Sequence, residues 1–358
     1  MSAKKVFAVV FGGASSEHEV SCVSAAWVVD NINNDRYDVI KIGITKNGVW
    51  FLYNGDTEKM RNNTWTEDKP NLVPCVISPC TVQHGIFVFN KGEGTFKSIY
   101  VDAVFPVLHG KNGEDGTIQG LLSVAGIPFV GADTYSSSVC MNKHAAKTLV
   151  KSADIARLAD WIAINKNGAY LPKVKAWSAK KGYPLFVKPA CAGSSVGVSK
   201  VRNEVQLISA IALAFEHDDT VLVEEAIVGK EIEVAVLSCP DGVTVSRCGE
   251  IDSGADFYDY EAKYKSNSST HYIPARIPDD VANKVRIAAQ SIFSELGCKG
   301  FARVDFFVCD DGSIVFNEIN TIPGMTGISL YPLLMADAGI DGPFLMDKLF
   351  ESAVGGTK

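Results

Sequence analysis

The sequence predicts an α/β chain, α+β in part, that folds as several domains. Three observations carry this. The first third alternates apolar strands with helical patterns, the region beyond Leu185 is strand-rich, and 358 residues are too many for one ordinary core.

Val6–Phe11 is a continuous apolar run ending at Gly12 and Gly13, the pattern of a strand buried on both faces. From Glu19 to Asn31 apolar residues recur near helical spacing. Tyr37–Ile44 is again strand-like, and Val101–Leu108 is a second buried run ending at His109 and Gly110. Strand, helix, strand predicts an open parallel sheet, with ligand-facing loops after Phe11 and after Leu108. Around 131–150 the composition shifts through Ser136, Ser137 and Ser138 to a lysine-bearing helical pattern, which marks a domain boundary. Strands are expected at Leu185–Pro189, Val221–Glu225 and Glu231–Leu237. A polar, aromatic loop from Ser253 to Thr270 precedes a helix from about Asp279 to Leu296 and a hairpin over Phe301–Asn320. No internal repeat or low-complexity tail interrupts this order.

The bulk numbers exclude some classes. A net charge of −7 argues against a broad grip on nucleic acid or anionic lipid, and no apolar run approaches a membrane span. Lys4 and Lys5 before the run Val6–Phe11 faintly suggest a secretory leader, but the run is short and reads better as a first strand. Nine cysteines, an odd number without a Cys-x-x-Cys pair, fit reduced thiols and a cytoplasmic location.

The hairpin carries the sharpest chemistry. If Asp311-Gly312 is a two-residue type I′ turn, Asp310 pairs with Ser313, Asp305 with Glu318 and Arg303 with Asn320. Opposed carboxylates then share a face about 5 Å apart and repel unless a cation or proton lies between them. Asp305, Glu318 and Asn320 offer only hard oxygen, the donor set of Mg²⁺ completed by phosphate and water. Phe307 and Phe316 are expected to continue and cover that face; the plainer alternative is an exposed Arg303–Asp305 ion pair.

Lys188 precedes a small, flexible loop running to Lys200, suited to a phosphate through backbone N–H groups and hydroxyls. Neither a P-loop nor a dinucleotide fingerprint is present. The loop does spell Gly-x-Ser-x-Gly from Gly193 through Ser195 to Gly197, the nucleophile elbow of serine hydrolases. An elbow should open a helix, whereas 198–201 reads as a strand, and neither His217 nor His271 has a persuasive setting for a triad.

Four segments together resemble the D-alanine–D-alanine ligases of the ATP-grasp superfamily: 11–21 (FGGASSEHEVS), 108–117 (LHGKNGEDGT), 188–197 (KPACAGSSVG) and 317–325 (NEINTIPGM). A fifth, 257–264 (FYDYEAKY), is similar to the family's mobile ω-loop, and the match runs nearly end to end in the family's order. The resemblance implies an ATP-grasp fold in which ATP lies between central and C-terminal domains. It divides the chain at 1–140, 141–228 and 229–358. It implies Lys143 and Lys188 on the ATP phosphates, Glu224, Glu225, Ala226 and Ile227 along the adenine, and Glu231 on the ribose. Two Mg²⁺ ions, replaceable by Mn²⁺, would fall to Asp305, Glu318 and Asn320.

By the same resemblance, ATP converts the first D-alanine to an acyl phosphate, and the amine of the second attacks it. Arg303 and the Gly324 N–H take the oxyanion role, and Glu17, with His109 near it, receives the first substrate's ammonium. Ser194, Tyr264 and Glu17 form a closing hydrogen-bond network, while Lys263 reaches the transferred phosphate. Ser329 and Leu330 resemble the second-substrate pair of D-alanine-using members, and Tyr264 favours amine over hydroxyl attack. D-Serine stays open as acceptor, because 326–328 (TGI), Asn142 and 190–192 (ACA) depart from the family pattern. The segment 156–161 departs as well, without an account from sequence, and His18 and His144 are read as surface residues. A homodimer is the common assembly of the family.

Overall fold

The computed structural model describes residues 4–90, 92–252 and 270–355. Three sheets organise them. In the first, strand Lys5–Gly12 lies between Tyr37–Ile44 and Ala103–Pro106 and runs parallel to both. Phe7 through Phe11 are fully buried, as the unbroken apolar run requires. Helix His18–Asn31 makes the crossover.

Beyond Tyr37–Ile44 the sheet turns antiparallel through Trp50–Tyr53, Leu72–Ile77, Gly85–Asn90 and Thr95–Tyr100. The expected parallel sheet is therefore parallel only at one end. The reason is loop length: five residues between Ile44 and Trp50 cannot make the long crossover that a parallel neighbour needs.

The second sheet orders Ser199–Val201, Leu185–Pro189, Thr220–Glu225 and Trp161–Asn165, all antiparallel. Val187, Val223, Val174 and Ile211 form its own core under helices Leu171–Lys181 and Glu204–Ala214. The third sheet runs Thr270–Tyr272, Gly249–Asp252, Lys230–Cys239, Phe301–Val308, Ile314–Asn320 and Arg157–Leu158, with Gly242–Val245 paired to Lys230–Cys239. Helix Asp279–Glu295 covers it with Val285 and Ile292, and helix Lys143–Ser152 adds Ala146 and Val150 to the same core.

A continuous cluster from Phe7 to Phe350 fastens the first sheet to the C-terminal helices Leu330–Asp337 and Gly342–Gly355, with the Phe7 and Phe350 rings edge-on at 4.6 Å. Each such fully buried phenylalanine contributes about 1.5–3 kcal/mol of transfer free energy.

The unusual segment 156–161 now has a physical account. Arg157 and Leu158 add a parallel edge to the third sheet, and three residues later Trp161 opens an edge strand of the second. The segment ties the two sheets that face each other. His18 is not a surface residue: it is buried, its Nδ1 lies 2.8 Å from the Gly13 carbonyl, and its ring stacks on Trp65. His144 is exposed and meets the Trp161 indole N–H at 3.0 Å. Among the described residues no helix is long and apolar enough to cross a membrane.

Candidate active site

A cavity of about 570 Å³ opens between the second and third sheets. Its floor is the hairpin of strands Phe301–Val308 and Ile314–Asn320, where Arg303 faces Asn320 and Asp305 faces Glu318. A bulge follows immediately, and Phe306 pairs with Phe316. The extra residue is Asn317, and its effect is chemical. Asn317 and Glu318 both reach the cavity, Asn317 Oδ1 at 3.5 Å from Lys188 Nζ and Glu318 at 3.4 Å from Lys143 Nζ. Bulges re-aim side chains in this way beside functional sites. Phe307 and Phe316 both line the cavity, and because the bulge pairs Phe316 with Phe306 its ring also packs on Phe306 in the core.

Cations line the opposite wall. Helix Lys143–Ser152 begins at the Asn142 cap, whose side chain accepts the Ala145 N–H, and its four-residue spacing puts Lys143 and Lys147 on one face. Lys143 donates to the Ala192 carbonyl at 2.7 Å. Lys188 and Glu224 share a face of the second sheet and meet at 2.8 Å, and Lys147 takes the other Glu224 oxygen at 2.9 Å. The two ammonium groups hold the buried Glu224 carboxyl down at about 2 despite the opposing cost of burial. Glu225, next along the strand, turns its carboxylate away to the Asp160 N–H at 3.1 Å, although it lines the cavity with Ala226, Ile227 and Glu231.

Arg303 lies on the same hairpin strand, two residues before Asp305. Its Nε and Nη2 donate to Asp305 at 2.8 and 2.7 Å, Nε also meets Glu233 at 3.0 Å, and Asn320 donates to Asp305 at 3.0 Å. The Arg303–Asp305 ion pair is thus real, but Asp305 is buried, not a solvated strand residue.

The remaining polar residues gather where the loops after Phe11 and Leu108 meet the 188–200 loop. Ser194 donates to Glu17, and the Gly193 backbone lies against the same carboxylate. His109 is buried, its Nε2 3.0 Å from Ser24 Oγ, and that hydroxyl also accepts the Met325 N–H at 3.3 Å. Burial pushes the His109 ring down to about 4, so it is neutral at pH 7. Glu114 accepts the Gly110 N–H at 2.8 Å, and burial next to the Glu17 charge pushes its carboxyl upward. Gly324 sits beside Ser329, whose hydroxyl accepts the Thr326 N–H at 3.2 Å. Ser329 stands at the N-cap of helix Leu330–Asp337 without a side-chain capping bond, and the helix's first backbone N–H groups suit a carboxylate. The Leu330 side chain itself is in the core.

This arrangement brings lysine ammonium groups and opposed carboxylates together around one cleft. The family profile described as D-ala D-ala ligase N-terminus matches residues 6–132, and that described as D-ala D-ala ligase C-terminus matches 149–351. The D-alanine–D-alanine ligase of Caldicellulosiruptor bescii is 45% identical, over 97% of this chain and 94% of its own. The D-alanine–D-alanine ligase A of Salmonella typhimurium is 43% identical, over 98% and 96%. The chain belongs to the D-alanine–D-alanine ligase family.

Two solved structures of the family bracket the fold. A D-Ala:D-Ser ligase from Enterococcus faecalis superposes with a TM-score of 0.89 at 46% identity, covering 98% of this chain and all of that one. The Bacillus anthracis D-alanine–D-alanine ligase complexed with ATP gives 0.72 at 27% identity, covering 98% of each. The fold is the mixed α/β ATP-grasp fold of this family.

Of the residues singled out by sequence, Lys143, Lys188, Ser194, Glu224, Glu225, Ala226, Ile227, Glu231 and Glu318 line this cavity. Arg303, Asp305 and Asn320 are not among the residues that line it; they form a hydrogen-bonded cluster further along the same hairpin. Lys263 and Tyr264 lie outside the described residues. The sequence reading gave no role to Lys147, Glu233, Asn317 and Ser24, whose partners come from remote parts of the chain. The elbow reading of Ser195 fails on geometry: a strand, Ser199–Val201, follows it where a hydrolase needs a helix.

The donor set fits Mg²⁺. Asp305 and Glu318 are opposed hard-oxygen groups with Asn320 beside them, and their present partners are cationic or amide N–H donors. Among the described residues no cluster of three or more His, Cys, Asp or Glu forms a ready cage. Mg²⁺ does not need one, since it commonly takes one or two carboxylates and completes its shell with phosphate and water.

A Cβ at residue 193 would stand 2.6 Å from Glu17 Oε2. We therefore expect Gly193→Ala to displace Glu17 and raise KM for the first substrate about tenfold, at little cost in stability. Unchanged KM in steady-state kinetics would remove Glu17 from that position.

Proposed function

We propose that the chain ligates two D-alanine molecules to D-alanyl-D-alanine, with ATP converted to ADP and phosphate, as a step in making peptidoglycan precursor. The observation that carries the reading is the opposition, across one cleft, of Lys143 and Lys188 to the Asp305–Glu318 pair, with Glu17 and Ser194 at its end. A carboxylate is a poor electrophile, so it must first be phosphorylated. Lys143 and Lys188 neutralise charge on the transferred phosphoryl group and hold it in line. Glu17 receives the first substrate's ammonium, with Ser194 fixing the carboxylate and neutral His109 holding the loop through Ser24. The second amine then attacks the acyl phosphate, and Arg303 with the Gly324 N–H stabilises the oxyanion.

Mg²⁺, held by Asp305, Glu318 and Asn320, supplies charge neutralisation on the phosphates. The helix beginning at Leu330 receives the second substrate's carboxylate. We assign D-alanine as that substrate, ATP as co-substrate, and a cytoplasmic homodimer as the working form. A coupled ADP-release assay tests the reading: D-alanine should give ADP and dipeptide, and D-serine or D-lactate much less. No ADP release with any D-amino acid would sink it. Ester hydrolysis without ATP, lost in Ser195→Ala, would support a hydrolase instead.

A further inference from the structure

Lys147 is almost fully buried, and burying an ammonium group costs several kcal/mol where a leucine or methionine would cost none. Its place explains why a cation is kept. Glu224 stands between two lysines, with Oε1 at 2.9 Å from Lys147 and Oε2 at 2.8 Å from Lys188. Lys188 faces Asn317 and the carboxylate floor, where phosphate is expected, and Lys147 lies one helical turn beyond Lys143. Two cations on one carboxylate leave a net charge of +1. With a single lysine the pair would be neutral, and Lys188 would meet an incoming phosphate already spent on Glu224.

We propose that Lys147 is a positioning residue that neutralises Glu224, so that Lys188 keeps its positive charge for the ATP phosphates. This rests on the ATP-using reading above and adds to it a residue that need not touch the nucleotide. The trio is a fixed unit: Glu224 on strand Thr220–Glu225, Lys188 on the adjacent strand Leu185–Pro189, Lys147 on a helix packed into the third sheet. The charge balance is therefore built into the wall before ATP arrives.

A mutant cycle tests this, with ATP affinity measured by calorimetry on the full chain and KM and kcat measured separately. Lys147→Met should weaken ATP binding about tenfold and raise KM for ATP more than it lowers kcat. In a Glu224→Gln background, where no carboxylate remains to neutralise, the same replacement should change ATP affinity by less than about twofold. Equal losses in both backgrounds would mean that Lys147, which lines the cavity, acts by packing or by touching the nucleotide itself, and the proposal would fall. Should Lys147→Met fail to fold, Glu224→Gln and the double variant still decide: similar ATP affinity supports the idea, and a difference above about threefold overturns it. Calorimetry separates the two levels of inference. ATP binding without D-alanine-dependent turnover would refute the ligase reading and leave this one standing, whereas no ATP binding by the unaltered chain overturns both.

Discussion

Arg303→Ala is expected to lower turnover by about 10²-fold or more while ATP binds within about threefold of the unaltered chain. The structure adds a second expectation. Arg303 is the cation between two buried carboxylates, Asp305 at 2.7 Å and Glu233 at 3.0 Å, and among the described residues only Asn320 is left to donate to Asp305. Both carboxylates sit on neighbouring strands in register, Glu233 opposite Asp305, so removing the guanidinium leaves like charges face to face in low dielectric. Breaking a buried pair by deleting one partner typically costs about 3–5 kcal/mol. The variant should therefore melt lower as well as turn over slowly.

Arg303→Lys separates the two effects. An ammonium keeps the charge and recovers most of the stability, but it loses the planar fork that bonds Asp305 through two nitrogens. Its turnover should stay low. Near-normal turnover in either variant, measured at saturating ATP, would take Arg303 out of the chemistry and leave it a structural ion pair.

The hairpin shows how a site can be legible for partly wrong reasons. A two-residue Asp311-Gly312 turn implies that Asp305 opposes Glu318. The actual loop has three residues, 310–312, closed by the Cys309 N–H on the Ser313 carbonyl at 3.0 Å, with Gly312 at φ +76°. That longer loop shifts the register by one, and Val308 pairs with Ile314. The bulge at Asn317 shifts it back before the carboxylates are reached. The two deviations cancel at Asp305 and fail to cancel at Phe316, which pairs with Phe306 and not with Phe307. Turn chemistry is local and readable from a dipeptide. A bulge is set by what the strand must present to its surroundings, and no residue type announces it.

Depth was the other thing the sequence could not give. The motifs named residues on the cavity wall because their types are chemically restrictive. Lys147, Ser24 and Glu233 are ordinary residues on a helix, a helix and a strand, and each acquires meaning from a partner 77, 301 or 70 positions away. His18 shows the same limit: beside the polar loop it reads as exposed, yet the turn at Gly13 folds back over it and Trp65 covers its ring. Fold class survives such errors because it depends on the alternation of elements. A site depends on which faces meet.

His109 supplies an expected result that isolates one of these meetings. An imidazole in the unfolded chain binds a proton near pH 6.5, and burial moves the folded ring to about 4. Above 6.5 both states are neutral and the residue adds no pH dependence. Between 6.5 and 4 the unfolded chain is protonated and the folded one is not, so stability falls as pH falls; below 4 both carry the proton and the loss is complete. The span amounts to about 3 kcal/mol. Carboxylates titrate in the same range, so the quantity to measure is the difference between the unaltered chain and His109→Asn in denaturant unfolding at pH 4 to 7.5. The two curves should converge by about 3 kcal/mol as the medium is acidified. Parallel curves would mean that the ring is solvated in solution, and that the link from His109 through Ser24 to Met325, next in sequence to the proposed oxyanion donor Gly324, does not form.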